Sequence, residues 1–296
     1  LPVGARDGYV VTNGIRMYYV EQGEGPLVLL CHGFPELWYS WRHQLAPIAE
    51  AGFHVVAVDL PGYGRSDKPD VHYDVEWVNR CLAGVITGLG HERAVLAGHD
   101  WAGLLVWPFA RRYPEHTAGV IGVNTPDLPR PQVPIVALLR QAFPDEPPYI
   151  VQFQEPGVAE WVFSWGRGAD DFVELMFRGA GTVNVDAFPD EVLAVYADAL
   201  RPRGAMTPPI EYYRNLDRSW HLTADLAELT VDVPCLMILA ADDPVLLPVF
   251  AEGMEARVPT LERVILDRCG HWTQQERPAE TSAAMVGYLT RLERWN

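Results

Sequence analysis

The run Val95-Leu96-Ala97-Gly98-His99-Asp100-Trp101-Ala102-Gly103-Leu104 sets a single acid between two small residues. An apolar strand over Val95 to Ala97 breaks at Gly98 and resumes as a helix with Ala102, Gly103, Leu104 and Leu105, which puts Asp100 at the apex of a sharp turn. Gly98 and Ala102, two positions either side of the apex, permit that turn without Cβ clashes. The pattern is a nucleophile elbow with aspartate where serine is usual. An acid at this point also has a plainer use, as a cap on the helix N-terminus.

A nucleophile needs a base and a group to orient the base. Asp243 follows the apolar run Cys235 to Ala240, and His271 lies in Asp267-Arg268-Cys269-Gly270-His271-Trp272-Thr273 after the last strand-like run. The chain order nucleophile, acid, histidine is that of the α/β-hydrolase fold. Asp242 is an equally acidic neighbour of Asp243; one of the pair is expected to face solvent or cap the following segment.

Aspartate at the apex selects the reaction. A serine that displaced a group from saturated carbon would form an ether, which water at neutral pH does not readily cleave. An aspartate forms an ester whose carbonyl belongs to the protein, and water activated by His271 can attack that carbonyl and regenerate Asp100. The predicted target is therefore sp3 carbon, in an epoxide or a haloalkane. Hydrolysis builds negative charge on the carboxyl oxygen, so an oxyanion hole is required. The Trp101 N–H at the helix start is one donor, and the Phe34 N–H in His32-Gly33-Phe34-Pro35 is the other.

These residues must be positioned by a sheet. Tyr9 to Val20 are two β-rich runs around Asn13-Gly14, a hairpin signal. Leu27 to Cys31, His54 to Asp59, Gly119 to Val123, Cys235 to Ala240 and Arg263 to Leu266 are mostly apolar throughout, as strands covered on both faces are. Helical patterns lie between them at Leu37–Ala51, Val75–Leu89 and after the elbow, and a final helix is expected over Ser282–Trp295. The predicted fold class is α/β, a mainly parallel eight-stranded sheet flanked by helices.

From Asn124 the character changes: prolines crowd residues 125–148, and no convincing parallel strand returns before Pro234. Phe153, Trp161, Phe163, Trp165, Phe172, Phe177, Tyr196, Tyr212 and Tyr213 make the interval aromatic. It reads as a helical cap over residues 128–227, inserted into a core of residues 1–127 and 228–296.

Composition narrows the partners. The 296 residues carry a formal charge of −16, which repels nucleic acid and anionic membranes. No run approaches the about 20 apolar residues of a membrane span, and Leu1 to Asp7 show no signal-peptide pattern. Cys31, Cys81, Cys235 and Cys269 are far apart and lack metal-ligand spacing, so reduced buried thiols in a cytoplasmic protein are expected. No metal or organic cofactor is implied. A homodimer stays open.

Six motifs carry a resemblance that runs along essentially the whole chain. They are His32-Gly33-Phe34-Pro35, Asp59-Leu60-Pro61-Gly62-Tyr63-Gly64-Arg65-Ser66, Gly98-His99-Asp100-Trp101 and Cys269-Gly270-His271-Trp272-Thr273-Gln274. In the cap they are Phe153-Gln154-Glu155-Pro156-Gly157-Val158-Ala159-Glu160 and Tyr212-Tyr213-Arg214-Asn215-Leu216-Asp217-Arg218. The chain resembles the α/β-hydrolase-fold epoxide hydrolases; Ala102 stands where that family often has a second glycine. The resemblance implies conversion of an epoxide to a vicinal diol through an ester on Asp100, with two cap tyrosines bonding the epoxide oxygen. By position these correspond to Tyr149 and Tyr213, and with Phe34 and Trp101 they would contact substrate. An epoxide leaves as an alkoxide and needs an acid, which tyrosine supplies because it stays protonated at neutral pH. The Gln154 to Glu160 stretch is expected to be structural, a turn that aims Tyr149. The aromatic cap suggests an apolar epoxide.

Two rival readings stand beside this one. Haloalkane dehalogenases share the aspartate elbow and the following tryptophan, but typically place a halide-binding side chain such as asparagine where this chain has Phe34. A hydrolase-fold ligand receptor without turnover would be free to lose catalytic residues, and here every expected one is present. A serine esterase lacks its apex serine.

Overall fold

The computed structural model describes residues 1–162 and 168–292. Among these, eight strands form one sheet: β1 (Arg6–Thr12), β2 (Ile15–Gln22), β3 (Leu27–Cys31), β4 (His54–Val58), β5 (Ala94–His99), β6 (Thr117–Val123), β7 (Cys235–Ala240) and β8 (Leu261–Leu266). Their spatial order is β1-β2-β4-β3-β5-β6-β7-β8. β1 and β2 pair antiparallel across Asn13-Gly14, both at positive φ, and β2 pairs antiparallel with β4. The other strands run parallel.

The helices are α1 (Leu45–Glu50), α2 (Val75–Gly88), α3 (Trp101–Arg112), α4 (Ile135–Ala142), α5 (Tyr149–Gln152), α6 (Val158–Val162), α7 (Ala169–Arg178), α8 (Asp190–Leu200), α9 (Thr207–Arg214), α10 (Leu216–Leu222), α11 (Thr273–Glu276) and α12 (Pro278–Arg291).

Strand side chains alternate between two apolar layers. Leu27, Leu29 and Cys31 join α2 and α3 on one face, whereas Val28 and Leu30 join Leu45, Ile48, Met285 and Leu289 of α1 and α12 on the other. Each fully buried Leu, Val or Ile contributes about 1.5–3 kcal/mol, so both faces of the sheet must be covered. That explains the continuous apolar runs in the sequence. Between β6 and β7 the described residues hold helices and no strand. This segment is tied down where Tyr212 in α9 donates its hydroxyl to the Pro61 carbonyl at 2.7 Å. Among the described residues no helix is long and apolar enough to cross a membrane.

Three local expectations are corrected. The helix expected over Leu37–Ala51 is two pieces, a 3-10 turn at Trp38–Trp41 and α1. Pro47 has no N–H to donate within a continuous helix, and it is tolerated in the first turn of a new one. β5 continues through Gly98 to His99, because both pair with β6 before the chain turns. The last helix opens at Pro278, four residues before Ser282, with proline again in the first turn. Its expected end at Trp295, like Phe163 and Trp165 of the aromatic interval, lies outside the described residues.

Candidate active site

The elbow is built from main-chain geometry. Asp100 has φ 50° and ψ −116°, a conformation that costs about 1–3 kcal/mol for a residue with a Cβ. The apex carbonyl is held by the Gly103 N–H at 2.9 Å and the Thr125 hydroxyl at 2.9 Å. A Cβ on Gly98 would lie 2.5 Å from the Ala102 carbonyl oxygen, so the turn admits only glycine there. The Asp100 side chain makes no capping bond to its own helix. It points elsewhere.

Asp100 Oδ1 accepts the Phe34 N–H at 2.7 Å, and Oδ2 lies 3.7 Å from His271 Nε2. The Trp101 N–H, at the first position of α3, makes no hydrogen bond among the described residues. Behind the imidazole, His271 Nδ1 is 2.9 Å from Asp243 Oδ2. Asp243 Oδ1 accepts the Val245 and Leu246 N–H groups at 2.8 and 3.0 Å, which fixes the carboxylate. Asp243 is buried and Asp242 exposed, so only one of the adjacent acids faces the histidine.

Burial alone would lower the His271 pKa, but the facing Asp100 and Asp243 carboxylates outweigh burial and push it up to about 10. For Asp100, burial acts upward and is outweighed by His271, His99 and the Phe34 N–H, which hold it below the usual carboxylate range. Asp243 is lowered in the same way, burial being outweighed by His271 and the two backbone donors.

Tyr213 in α9 is buried, and its ring lies 5.1 Å from Phe34 and 5.1 Å from Trp101, edge-on to both. Tyr149 opens α5, keeps an exposed edge, and meets Tyr213 at 5.7 Å between ring centres. Each hydroxyl influences the titration of the other. Burial and the nearby Asp100 charge raise Tyr149 to about 12. Burial, Tyr149 and Asp100 raise Tyr213 well above the ordinary tyrosine value. Both phenols therefore keep their protons at neutral pH. Tyr212 also packs edge-on against Trp101 at 5.5 Å, but its hydroxyl is committed to Pro61, so the tyrosine that meets both Phe34 and Trp101 is Tyr213.

The motifs Phe153 to Glu160 and Tyr212 to Arg218 are physically joined. Gln154 Nε2 donates to the Ile150 and Tyr213 carbonyls, both at 2.9 Å, and Arg214 Nε donates to the Phe153 carbonyl at 2.8 Å. Gln154 thus ties the turn that follows Tyr149 to the main chain of Tyr213.

Three residues absent from the sequence reading of the site belong beside it. Asn124, at φ 61°, donates Nδ2 to Asp243 Oδ2 at 2.8 Å and to the His271 carbonyl at 2.9 Å. His99 and Glu36 are fully buried and paired, with His99 Nε2 2.7 Å from the same His271 carbonyl. The Glu36 Oε2 atom also accepts the Gly33 N–H at 2.9 Å, which holds the loop that presents Phe34. Their only signals in the sequence are adjacency: Asn124 ends a strand, Glu36 follows His32-Gly33-Phe34-Pro35, and His99 precedes Asp100. Among the described residues no group of three or more His, Cys, Asp or Glu side chains could hold a metal ion.

Comparison with known proteins extends over the same elements. A family model described as alpha/beta hydrolase fold matches residues 26–154. Epoxide hydrolase A of Mycobacterium tuberculosis is 38% identical over 96% of this chain and 97% of its own length. Bifunctional epoxide hydrolase 2 of Rattus norvegicus is 37% identical over 97% of this chain, which spans 56% of that longer protein. Among solved structures, Epoxide Hydrolase A from Mycobacterium thermoresistibile superposes with a TM-score of 0.90 at 37% identity, covering 98% of this chain and 100% of that one. An epoxide hydrolase from an endophytic Streptomyces gives a TM-score of 0.91 at 32% identity, covering 97% and 96%. With the fold, the eight-stranded sheet and these full-length similarities in agreement, the chain belongs to the α/β-hydrolase-fold epoxide hydrolases.

Proposed function

We propose that the chain hydrolyses an epoxide to a vicinal diol in two covalent half-reactions. Asp100 Oδ2 attacks an epoxide carbon, the carbon–oxygen bond breaks, and the electron pair moves to the epoxide oxygen. That oxygen takes a proton from the Tyr149–Tyr213 pair. A hydroxyalkyl ester of Asp100 results. His271, oriented by Asp243, then removes a proton from water, whose oxygen attacks the ester carbonyl. Oδ1 carries the resulting charge, held by the Phe34 N–H that it already accepts, with the Trp101 N–H at the start of α3 as the second donor. Collapse expels the product alkoxide, which takes the proton held by His271, and the acid proton left on the Asp100 carboxyl returns to the tyrosine pair, so the diol leaves and Asp100 is restored as a carboxylate.

The single observation that carries this reading is a carboxylate with His271 3.7 Å from one oxygen and the Phe34 N–H 2.7 Å from the other, beside a Tyr213 ring that stands edge-on to Phe34 and Trp101 and meets Tyr149 at 5.7 Å. Halide needs no proton to depart, so a dehalogenase would leave both tyrosines without a task. We assign residues 128–227 to a cap over a core of residues 1–127 and 228–296, on the strength of the strand-free interval and the Tyr212–Pro61 bond. The substrate is assigned as a small apolar epoxide. Support comes from the rings of Phe34, Trp101 and Phe153 around the two tyrosines, with Phe172 packed against Phe34. A cytoplasmic location is inferred from four buried cysteines, all free.

The experiment is a paired assay with an aryl or alkyl epoxide and with the matching bromoalkane. Diol from the epoxide, with little or no bromide release, is expected; bromide without diol would replace this reading with the dehalogenase.

A further inference from the structure

Glu276 ends α11, six residues beyond Gly270, and is buried. Its Oε2 accepts the N–H groups of Val183 at 2.9 Å, Asn184 at 2.8 Å and Gly270 at 3.2 Å, and its Oε1 accepts the Trp272 N–H at 3.2 Å. The neighbouring Arg277 pairs with Glu280 instead, and no basic side chain pairs with Glu276 among the described residues. Four main-chain donors on separate stretches therefore share one carboxylate. Only a carboxylate side chain offers two acceptor oxygens and no hydrogen.

Two of those donors, Gly270 and Trp272, flank His271. The other two lie in the segment after α7. His271 itself donates its N–H to the Gly181 carbonyl in that segment at 2.7 Å, and Asn184 Nδ2 donates to the Arg268 carbonyl at 2.8 Å. The approach is so close that a Cβ on Gly270 would sit 2.4 Å from the Gly181 oxygen and 2.8 Å from Glu276 Oε1. On the opposite side, the His271 carbonyl is held by Asn124 and His99. The histidine main chain is thus gripped at its carbonyl by Asn124 and His99, at its amide by Gly181, and on both neighbours by Glu276.

We infer that Glu276 is a positioning residue for the ester-hydrolysis half-reaction: it locks the main chain either side of His271 to residues 181–184, keeping the imidazole aimed at the attacking water. The inference rests on the two-step reaction proposed above. Alkylation is affected far less, because Asp100 is held by the elbow and Phe34. Tyr149 and Tyr213 are held by Gln154 and by the Tyr212–Pro61 bond, none of which involves Glu276.

The test is rapid-quench kinetics on Glu276→Gln and Glu276→Asp with excess epoxide, following the adduct on Asp100 by mass spectrometry. Glutamine keeps the volume but turns one acceptor into an N–H donor facing other donors. In E276Q, alkylation is expected within about twofold of wild type, while hydrolysis slows about tenfold or more, since displacement of a catalytic group by about an ångström can cost about 10²-fold. The ester fraction then rises at steady state and KM falls together with kcat. E276D keeps the charge on a shorter arm and should recover part of the hydrolysis rate. A merely structural role lowers kcat through lost active enzyme and leaves KM and the ester fraction unchanged. That result in either variant, or equal slowing of both steps, overturns the inference, and E276D alone decides if E276Q does not fold. Absence of any adduct in the wild-type enzyme overturns the underlying reaction; a normal wild-type adduct with unchanged partitioning in the variants overturns only the role of Glu276.

Discussion

Glu36 Oε2 and His99 Nδ1 lie 2.7 Å apart with both side chains wholly buried. The other His99 nitrogen faces the His271 carbonyl, and the other Glu36 oxygen accepts from Gln274 and Gln275 at 2.8 and 3.1 Å. The pair joins the loop that carries Phe34, the residue before Asp100 and the loop that carries His271. Removing one member of a buried charged pair leaves its partner uncompensated, at about 3–5 kcal/mol. Glu36→Gln should lower unfolding stability by that order in urea titration; a loss under about 1 kcal/mol would mean the pair is not charged.

The phenols are predicted to act together. General acid catalysis contributes about 10²–10⁴-fold, and either tyrosine can donate when its partner is missing. Tyr149→Phe and Tyr213→Phe should each slow alkylation by about tenfold, and the double variant by about 10³-fold or more. Stopped-flow alkylation rates measure this directly. A double variant close to wild type would remove the tyrosines from the mechanism.

The two steps should separate with pH. Asp100 is held ionised below the usual carboxylate range, and His271 keeps its proton up to about 10 while both carboxylates face it. Esterification removes the Asp100 charge, so one of the two raising interactions is lost and burial pulls the imidazole pKa down from its resting value. Hydrolysis needs the neutral imidazole, and its rate should rise with pH through that lowered pKa; alkylation, needing ionised Asp100, stays flat over the same range. Acidification should therefore accumulate the ester. A single-turnover series in which both steps fall together on the acid side would contradict this order.

The adjacent acids give a clean internal control. Asp243→Asn would present an amide donor to His271 Nδ1 and spoil the tautomer needed for base catalysis, reducing hydrolysis by about 10³-fold or more. Asp242→Asn, at an exposed position, should stay within about twofold of wild type in kcat. Equal effects would reassign the orienting acid.

The elbow was legible in the sequence because its requirements are local: a small residue on either side of the apex, an apolar strand before it and a helix after it. The sheet was legible for a similar reason, since strands buried on both faces read as unbroken apolar runs. The supports of the site were not. Glu36 and His99 are 63 residues apart, and Asn124 and Asp243 are 119 apart, so no spacing rule brings them together. Glu276 was invisible as a clamp because its partners are main-chain amides, which carry no side-chain signature. The break between Trp41 and Leu45 was foreshadowed only by Pro47, whose tolerance depends on where the helix begins.

The central claim is that the first oxygen delivered to the product comes from Asp100 and not from solvent. One turnover in 18O-labelled water, with enzyme in excess over epoxide, tests it most directly. The ester route yields a diol free of label and 18O retained in the Asp100 carboxylate; label in the diol after that single turnover would show direct attack by water and rule out the ester.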